Sequence, residues 1–509
     1  MKYGSIAAGH KTTAESARNI LERGGNAFDA SVGAVFTSMV SEFTLTGPGG
    51  GGAFLACPNG SEPILFDFFV DTPPPHPNKD LDFFNILVDF GPLKQEFHIG
   101  RGSAAVPGNT AGLLLVHERL GKLPLRTILE PAIEAARTGV ILNESHGYLM
   151  KILDPILTHT SAGKNLFTPE GTILKEGDNF KNPAFADFLE ELIRHGTDYF
   201  YKGSGAKCIL DIFSENGLLT SECLANYKVI ERTPLKIEFQ DKIFYTNPVP
   251  SIGGTLIAFT LKLIENSRGS VGVDVPDLIH AMQITALARK ETSIDPNDSF
   301  QIGQILKETV FEKFLERYLS QRTLDRTERD APSSGATTQV SIIDKCGNAA
   351  SVTTTNGAGC GYLVPEMGIM LNNMLGEQDL NPLGFHNFVK QERLPTMISP
   401  SLVMGNDGPE LVVGSGGSNR IRSAILQVIL NYFIKEMNLE EAILSPRIHL
   451  EGDIFHCEPG IKLPGSNELP YGVQIHKWEE QNLFFGGVNA VTPTEAVGDI
   501  RRGGTGIVF

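Results

Sequence analysis

A threonine that follows a flexible linker and heads a β-strand can do chemistry that an ordinary strand threonine cannot. Arg322–Asp330 is a charged, polar run, and Ala331-Pro332-Ser333-Ser334-Gly335-Ala336 completes a linker by composition over 322–336. Thr337–Asp344 (TTQVSIID) comes next, then a turn at Lys345–Asn348 and a second run, Ala349–Thr355. Both runs alternate and are rich in β-branched residues, which predicts a hairpin. A cut between Ala336 and Thr337 would expose an α-amino group beside the threonine hydroxyl. With an ordinary pKa of about 7.7–8.0, that amine can accept the hydroxyl proton. The expected register sets Thr337 beside Thr355 and Asn356, so a second hydroxyl could orient the first. The plainer alternative is a pair of strand threonines with no chemical role.

Other chemical signals are sparse. Glycine numbers 54 of 509 residues, above the usual share of about 7%, and it clusters, most densely in Gly47-Pro48-Gly49-Gly50-Gly51-Gly52. Taken alone, such clusters read as tight turns using glycine's access to positive φ. The chain has no GxxxxGK[ST] loop, no GxSxG elbow and no HExxH pair. Its 12 histidines and six cysteines show no ligand spacing, so neither a metal nor another cofactor is expected.

The elements that must position the threonine hairpin are mostly helical in pattern. Thr12–Glu15 (TTAE) resembles a capping box opening a helix that Gly24-Gly25 stops. A second helix is expected from Asn26 to about Val40, then the glycine loop and strands at Ala53–Cys57 and Pro63–Val70. Helical patterns recur at Asn182–His195, Gln304–Ser320 and Arg420–Glu436. A strand-like piece lies at Leu235–Tyr245, and a Gly253-Gly254 turn leads into another helix. Strand runs at both ends of a helical middle predict an α+β layered fold. The net charge of −16, from 43 basic and 59 acidic residues, argues against nucleic acid as a partner. No run approaches 18 apolar residues, so no membrane span is expected. The N-terminus lacks an apolar signal region and reads as cytoplasmic; had it been trimmed, a periplasmic or extracellular setting would be expected.

From end to end the chain resembles the γ-glutamyltranspeptidases. The likeness is carried by GSIAAGHKTTAESARNILERGGNAFDASVGAVF, TGPGGGGAFL, AAVPGNTAGLLL, EPAIEAARTGVILNE, GLLTSECLANYKVIERTP and PSIGGTLI. Downstream it continues in TTQVSIIDKCGNAASVT, GIMLNNML, ISPSLVM, VVGSGG and SPRIHLEGD. The resemblance implies an N-terminal-nucleophile hydrolase, a four-layer αββα sandwich made as a precursor that cuts itself. It places the cut between Ala336 and Thr337, giving a large part, 1–336, and a small part, 337–509, that together form one unit. It implies that Thr337 attacks first its own peptide bond and then the γ-amide of a donor such as glutathione. Thr355 falls on the threonine that bonds the nucleophile. Gly416 and Gly417 fall on the oxyanion-hole pair, with a one-residue shift to Ser418 allowed by the spacing. The implied partners are a small amide substrate and the two chains of one precursor, with a homo-oligomer as a further expectation.

The departures concern the donor. Phe69 stands where the family has the arginine that grips the donor α-carboxylate, and a phenyl ring cannot replace a bidentate guanidinium. Glu377 replaces the aspartate that receives the donor α-amino group. Thr396 and Met397 replace a serine pair, Gly357 the binding asparagine (with Asn356 one position early), and Met374 a Gln or Glu. Arg101 and Arg393 are candidate substitute cations, with a surface or structural role as the alternative. The same departures leave open an acylase for a different acyl group, as in the cephalosporin-acylase branch, or an unprocessed, catalytically silent homologue.

Overall fold

The computed structural model describes residues 4–509 apart from 77–79, 90–93, 268–272, 293–300, 321–335, 382, 389–390, 464 and 466–472. The expected linker over 322–336 therefore lies outside the described residues except for Ala336.

Two antiparallel sheets stack face to face. The first has seven strands in the order Thr505–Val508, Gly4–Ala8, Thr337–Asp344, Ala349–Thr355, Gly51–Cys57, Ile64–Phe68, Ile230–Arg232. The second has six, in the order Ala496–Val497, Gly487–Val491, Gly408–Gly416, Ser401–Gly405, Lys242–Thr246, Leu235–Phe239. Helices Lys11–Glu22, Ala27–Ser41 and Leu125–Thr138 pack together outside the first sheet. Helices Ile252–Asn266 and Arg420–Phe433 cover the second. The result is the expected α+β sandwich of four layers, αββα.

Strand alternation decides what faces what. Val340, Ile342, Ala350 and Val352 point into the apolar layer beneath the helices of the first sheet. The intervening Ser341 and Ser351 point toward the second sheet, where their hydroxyls donate to Asn489 O at 2.8 Å and Val413 O at 3.0 Å. Thr337 lies on this same inter-sheet face by its spacing from Gln339 and Ser341.

Local signals explain most boundaries. Asn26 caps the helix Ala27–Ser41 in a capping box with Asp29. The box expected at Thr12–Glu15 is not formed: the helix starts at Lys11, and His10 is the cap, its ring accepting from Thr12 N–H. Glu15 then lies past the first turn and pairs with Arg18 on the surface. The piece at Leu235–Tyr245 is a hairpin of two strands, Leu235–Phe239 and Lys242–Thr246. Gly253 and Gly254 lie inside the first turn of Ile252–Asn266 rather than in a turn before it, and they are glycine there because a Cβ would strike Met397 O at 2.2 Å or Asn247 O at 2.4 Å.

Candidate functional site

Thr337 opens its strand directly opposite Thr355, the register expected from the hairpin. Both residues are buried. The Thr355 hydroxyl donates to the carbonyl oxygen of Ala336, the residue before the strand. The Gly357 N–H in turn donates to Thr355 Oγ1 at 3.1 Å. A carbonyl that receives a hydroxyl proton next to a threonine is polarised toward nucleophilic attack.

The glycine cluster at 47–52 closes one side of the surroundings, but not as left-handed turns. None of Gly47, Gly49, Gly50, Gly51 or Gly52 has a positive φ. A Cβ on Gly50 would lie 2.0 Å from Thr355 O, and one on Gly49 or Gly52 would lie 2.6 Å from a backbone oxygen. Gly49 to Gly52 are glycine because chains pass too close for a side chain, and Gly51 pairs with Thr355 across the sheet. From the second sheet, a Cβ on Gly416 would meet Thr337 O at 2.1 Å. Gly417 is left-handed at φ 125° and Ser418 at φ 50°. The Gly417 N–H has no partner among the described residues. Arg502 lies under this loop, its terminal nitrogens 3.3 and 3.4 Å from where Cβ atoms on Gly416 and Gly417 would sit.

The remaining residues singled out from sequence divide. Glu377 reaches the hairpin end: a Cβ on Gly357 would meet its Oε1 at 2.4 Å. Burial, then the neighbouring Asp379, pushes the Glu377 carboxyl well above the usual carboxylate range. Asn356 donates to Met370 O at 3.2 Å, and its Oδ1 is buried without a hydrogen-bond partner among the described residues. Thr396 is engaged in a turn, its hydroxyl accepting from Ile398 N–H at 3.2 Å and its carbonyl from Ile252 N–H at 2.8 Å. Arg101 lies 4.7 Å over the Tyr362 ring, with Asp82 4.0 Å from its Nε. Arg393 is buried, and its donors are taken by the chain itself. It reaches Phe69 O at 2.7 Å, Tyr227 OH at 2.9 Å, Lys228 O at 2.7 Å and the carboxylates of Asp67 and Asp71 at 3.2 and 2.8 Å. It thus braces the backbone of Phe69 instead of presenting a cation. Phe69 itself is buried, next to Gly51.

Sequence reasoning missed three residues here. Asn372 ties the glycine loop to the chain, donating to Gly49 O at 2.7 Å and accepting from Ala105 N–H at 3.0 Å. Asp379 accepts from Ser418 Oγ at 3.0 Å. Glu42, fully buried, accepts from Thr13 at 2.7 Å and from Thr338; burial pushes its carboxyl up to about 7. The LNN run was a legible signal for Asn372; the other two contacts join segments far apart in sequence. Among the described residues no group of His, Cys, Asp and Glu is placed to hold a metal, and no helix is long and apolar enough to cross a membrane.

This site sits on a recognisable scaffold. The structure superposes on cephalosporin acylase from Bacillus halodurans with a TM-score of 0.83 over all of this chain and 96% of that one, at 21% identity. It is also similar to gamma-glutamyltranspeptidase from Pseudomonas nitroreducens, with a TM-score of 0.51 and 28% identity over 60% of this chain and 92% of that one. In sequence it is 31% identical to the glutathione hydrolase proenzyme of Escherichia coli (strain K12) over 477 residues, 88% of this chain and 81% of that protein. The family model described as Gamma-glutamyltranspeptidase matches residues 13–509. The chain belongs to the gamma-glutamyltranspeptidase family.

Proposed function

We propose that this chain is a self-processing threonine-nucleophile amidase and transferase that cleaves γ-glutamyl amides such as glutathione. The observation that carries this proposal is the hydrogen bond from Thr355 to the Ala336 carbonyl at the head of the Thr337 strand. In the first reaction the Thr337 hydroxyl oxygen attacks the Ala336 carbonyl carbon. The peptide C–N bond breaks, the hydroxyl proton passes to the leaving nitrogen, and water hydrolyses the ester. The products are a carboxylate at Ala336 and a free α-amine on Thr337. That amine is the base for the second reaction, attack on the donor γ-amide, with the acyl group then passed to water or to an amino acid or peptide. Thr355 orients the nucleophile, and backbone N–H groups of the Gly416-Gly417 loop, extending to Ser418, receive the oxyanion. Glu377, buried at the hairpin end against Gly357, receives the donor ammonium, with Asn356 beside it. The names of the relatives support the same activity, since that of Escherichia coli is a glutathione hydrolase proenzyme.

Purified protein should separate into two chains, the smaller beginning at Thr337, and should release p-nitroaniline from γ-glutamyl-p-nitroanilide. A Thr337→Ala chain should stay whole; cleavage of that variant at the same bond would overturn the nucleophile assignment. A second reading, a same-fold acylase for a donor lacking an α-carboxylate, is favoured by Phe69 and by the engagement of Arg393 within the chain. Turnover of other amides in preference to the γ-glutamyl anilide would select it.

A further inference from the structure

Asp379 belongs to neither the hairpin nor the glycine loops, yet it touches the loop on which the oxyanion is placed. Ser418 Oγ donates to Asp379 Oδ2 at 3.0 Å. Ser418 is also held on its carbonyl side, by Ile421 N–H at 3.0 Å, while Gly417 O accepts from Arg420 N–H at 3.0 Å. Two consecutive left-handed residues, one of them not glycine, persist only when their surroundings over-determine them. The second oxygen, Asp379 Oδ1, is buried with no hydrogen-bond partner among the described residues, so Ser418 is the side chain that the Asp379 carboxyl holds. Two residues earlier, Glu377 lies against Gly357 beside Thr355. The segment Glu377-Gln378-Asp379 thus spans from the hairpin end to the oxyanion loop.

We propose that Asp379 is a positioning residue that fixes the direction of the Gly417 and Ser418 N–H groups by holding the Ser418 side chain, and so governs acylation of Thr337. The inference rests on the oxyanion assignment made under Proposed function. It is tested with the processed protein by stopped-flow acylation using two probes: γ-glutamyl-p-nitroanilide and p-nitrophenyl acetate, an activated ester that needs no donor recognition. Asp379→Ala and Ser418→Ala should each slow the ester burst about 10- to 100-fold, part of what removing a whole oxyanion donor costs. The double variant should be no slower than either single one, because both remove the same contact. Asp379→Asn, whose amide oxygen still accepts from Ser418, should recover most of the rate.

Additive losses, an Asp379→Asn variant no faster than Asp379→Ala, or a wild-type burst rate per titrated site in Asp379→Ala would overturn the proposal. A wild-type chain that reacts with the ester but not with the anilide would refute the γ-glutamyl donor alone. The ester rates would then decide the role of Asp379.

Discussion

Replacing Thr355 with valine keeps the shape of the side chain and removes its hydroxyl. In the uncut chain that hydroxyl has two partners: it donates to Ala336 O and accepts from Gly357 N–H at 3.1 Å. The two losses act on different quantities. The bond to Ala336 O strengthens as the carbonyl gains negative charge, so losing it raises the barrier to self-cleavage. By comparison with a lost oxyanion donor, the effect is about 3–4 kcal/mol, or roughly 10²- to 10³-fold in rate. Losing the Gly357 partner leaves a buried N–H unsatisfied, which lowers stability by about 1–3 kcal/mol in both ground and transition states. Thr355→Val should therefore fold, melt a few degrees lower, and convert to two chains roughly 10²- to 10³-fold more slowly than wild type. Thr355→Ser, which keeps the hydroxyl, should process at nearly the wild-type rate. The assay is a time course of intact mass and denaturing gels on freshly refolded precursor, with N-terminal sequencing of the small chain. If Thr355→Val matures with the wild-type half-life while its melting point drops as expected, the hydroxyl is a structural bond and not the one that activates the scissile carbonyl.

Three further outcomes follow from the packing and charge of the site. Gly50→Ala would place a methyl 2.0 Å from Thr355 O. It should lower stability by about 1–3 kcal/mol and slow self-cleavage, read from urea melts and the same gels; an unperturbed melt would show that the loop yields. Glu42 holds its proton up to about 7 in the fold against an ordinary 4.5. Between those values the folded state binds more protons, so this group's contribution to stability falls as pH rises, by on the order of 3 kcal/mol in all. Glu42→Gln should thus gain in urea midpoint on wild type from pH 5 to pH 8, and parallel curves would contradict the assignment. Arg393→Met strands Asp71, while Asp67 keeps Arg232 at 2.7 Å, and should cost about 3–5 kcal/mol of stability. Its folded fraction should keep the wild-type preference between donors with and without an α-carboxylate; a selective loss of the carboxylated donor would make Arg393 a substrate ligand after all.

How much of this was legible depends on the reach of each interaction. The threonine hairpin could be read because both strands and the turn lie within 20 consecutive positions and alternate cleanly, which fixes Thr337 opposite Thr355. The glycine cluster was visible, but its cause was misjudged: composition points to turns, whereas the constraint comes from Thr355 and Leu371, some 300 residues away in the chain. Thr12 and Glu15 satisfied a local pattern that lost to His10, whose ring already meets the Thr12 N–H. Arg393 could not be told from a ligand-binding cation by sequence, since its acceptors come from Asp67, Phe69, Asp71 and Tyr227. Asp379 and Glu42 carried no motif at all; their meaning lies in hydroxyls 39 and 296 positions away.

The strand order of the first sheet has a mechanical consequence. Gly4–Ala8 is hydrogen-bonded on one side to Thr337–Asp344 and on the other to Thr505–Val508, while Ala349–Thr355 pairs outward with Gly51–Cys57. In the second sheet, Lys242–Thr246 pairs with Ser401–Gly405. A break before Thr337 therefore yields two polypeptides that are woven through each other like interlaced fingers, each supplying strands between or beside those of the other. Neither piece can leave without tearing hydrogen-bond ladders in both sheets. The nick can free a reactive terminus inside the sandwich while the assembly unfolds as one body, so the cut partners should come apart only when the whole domain melts.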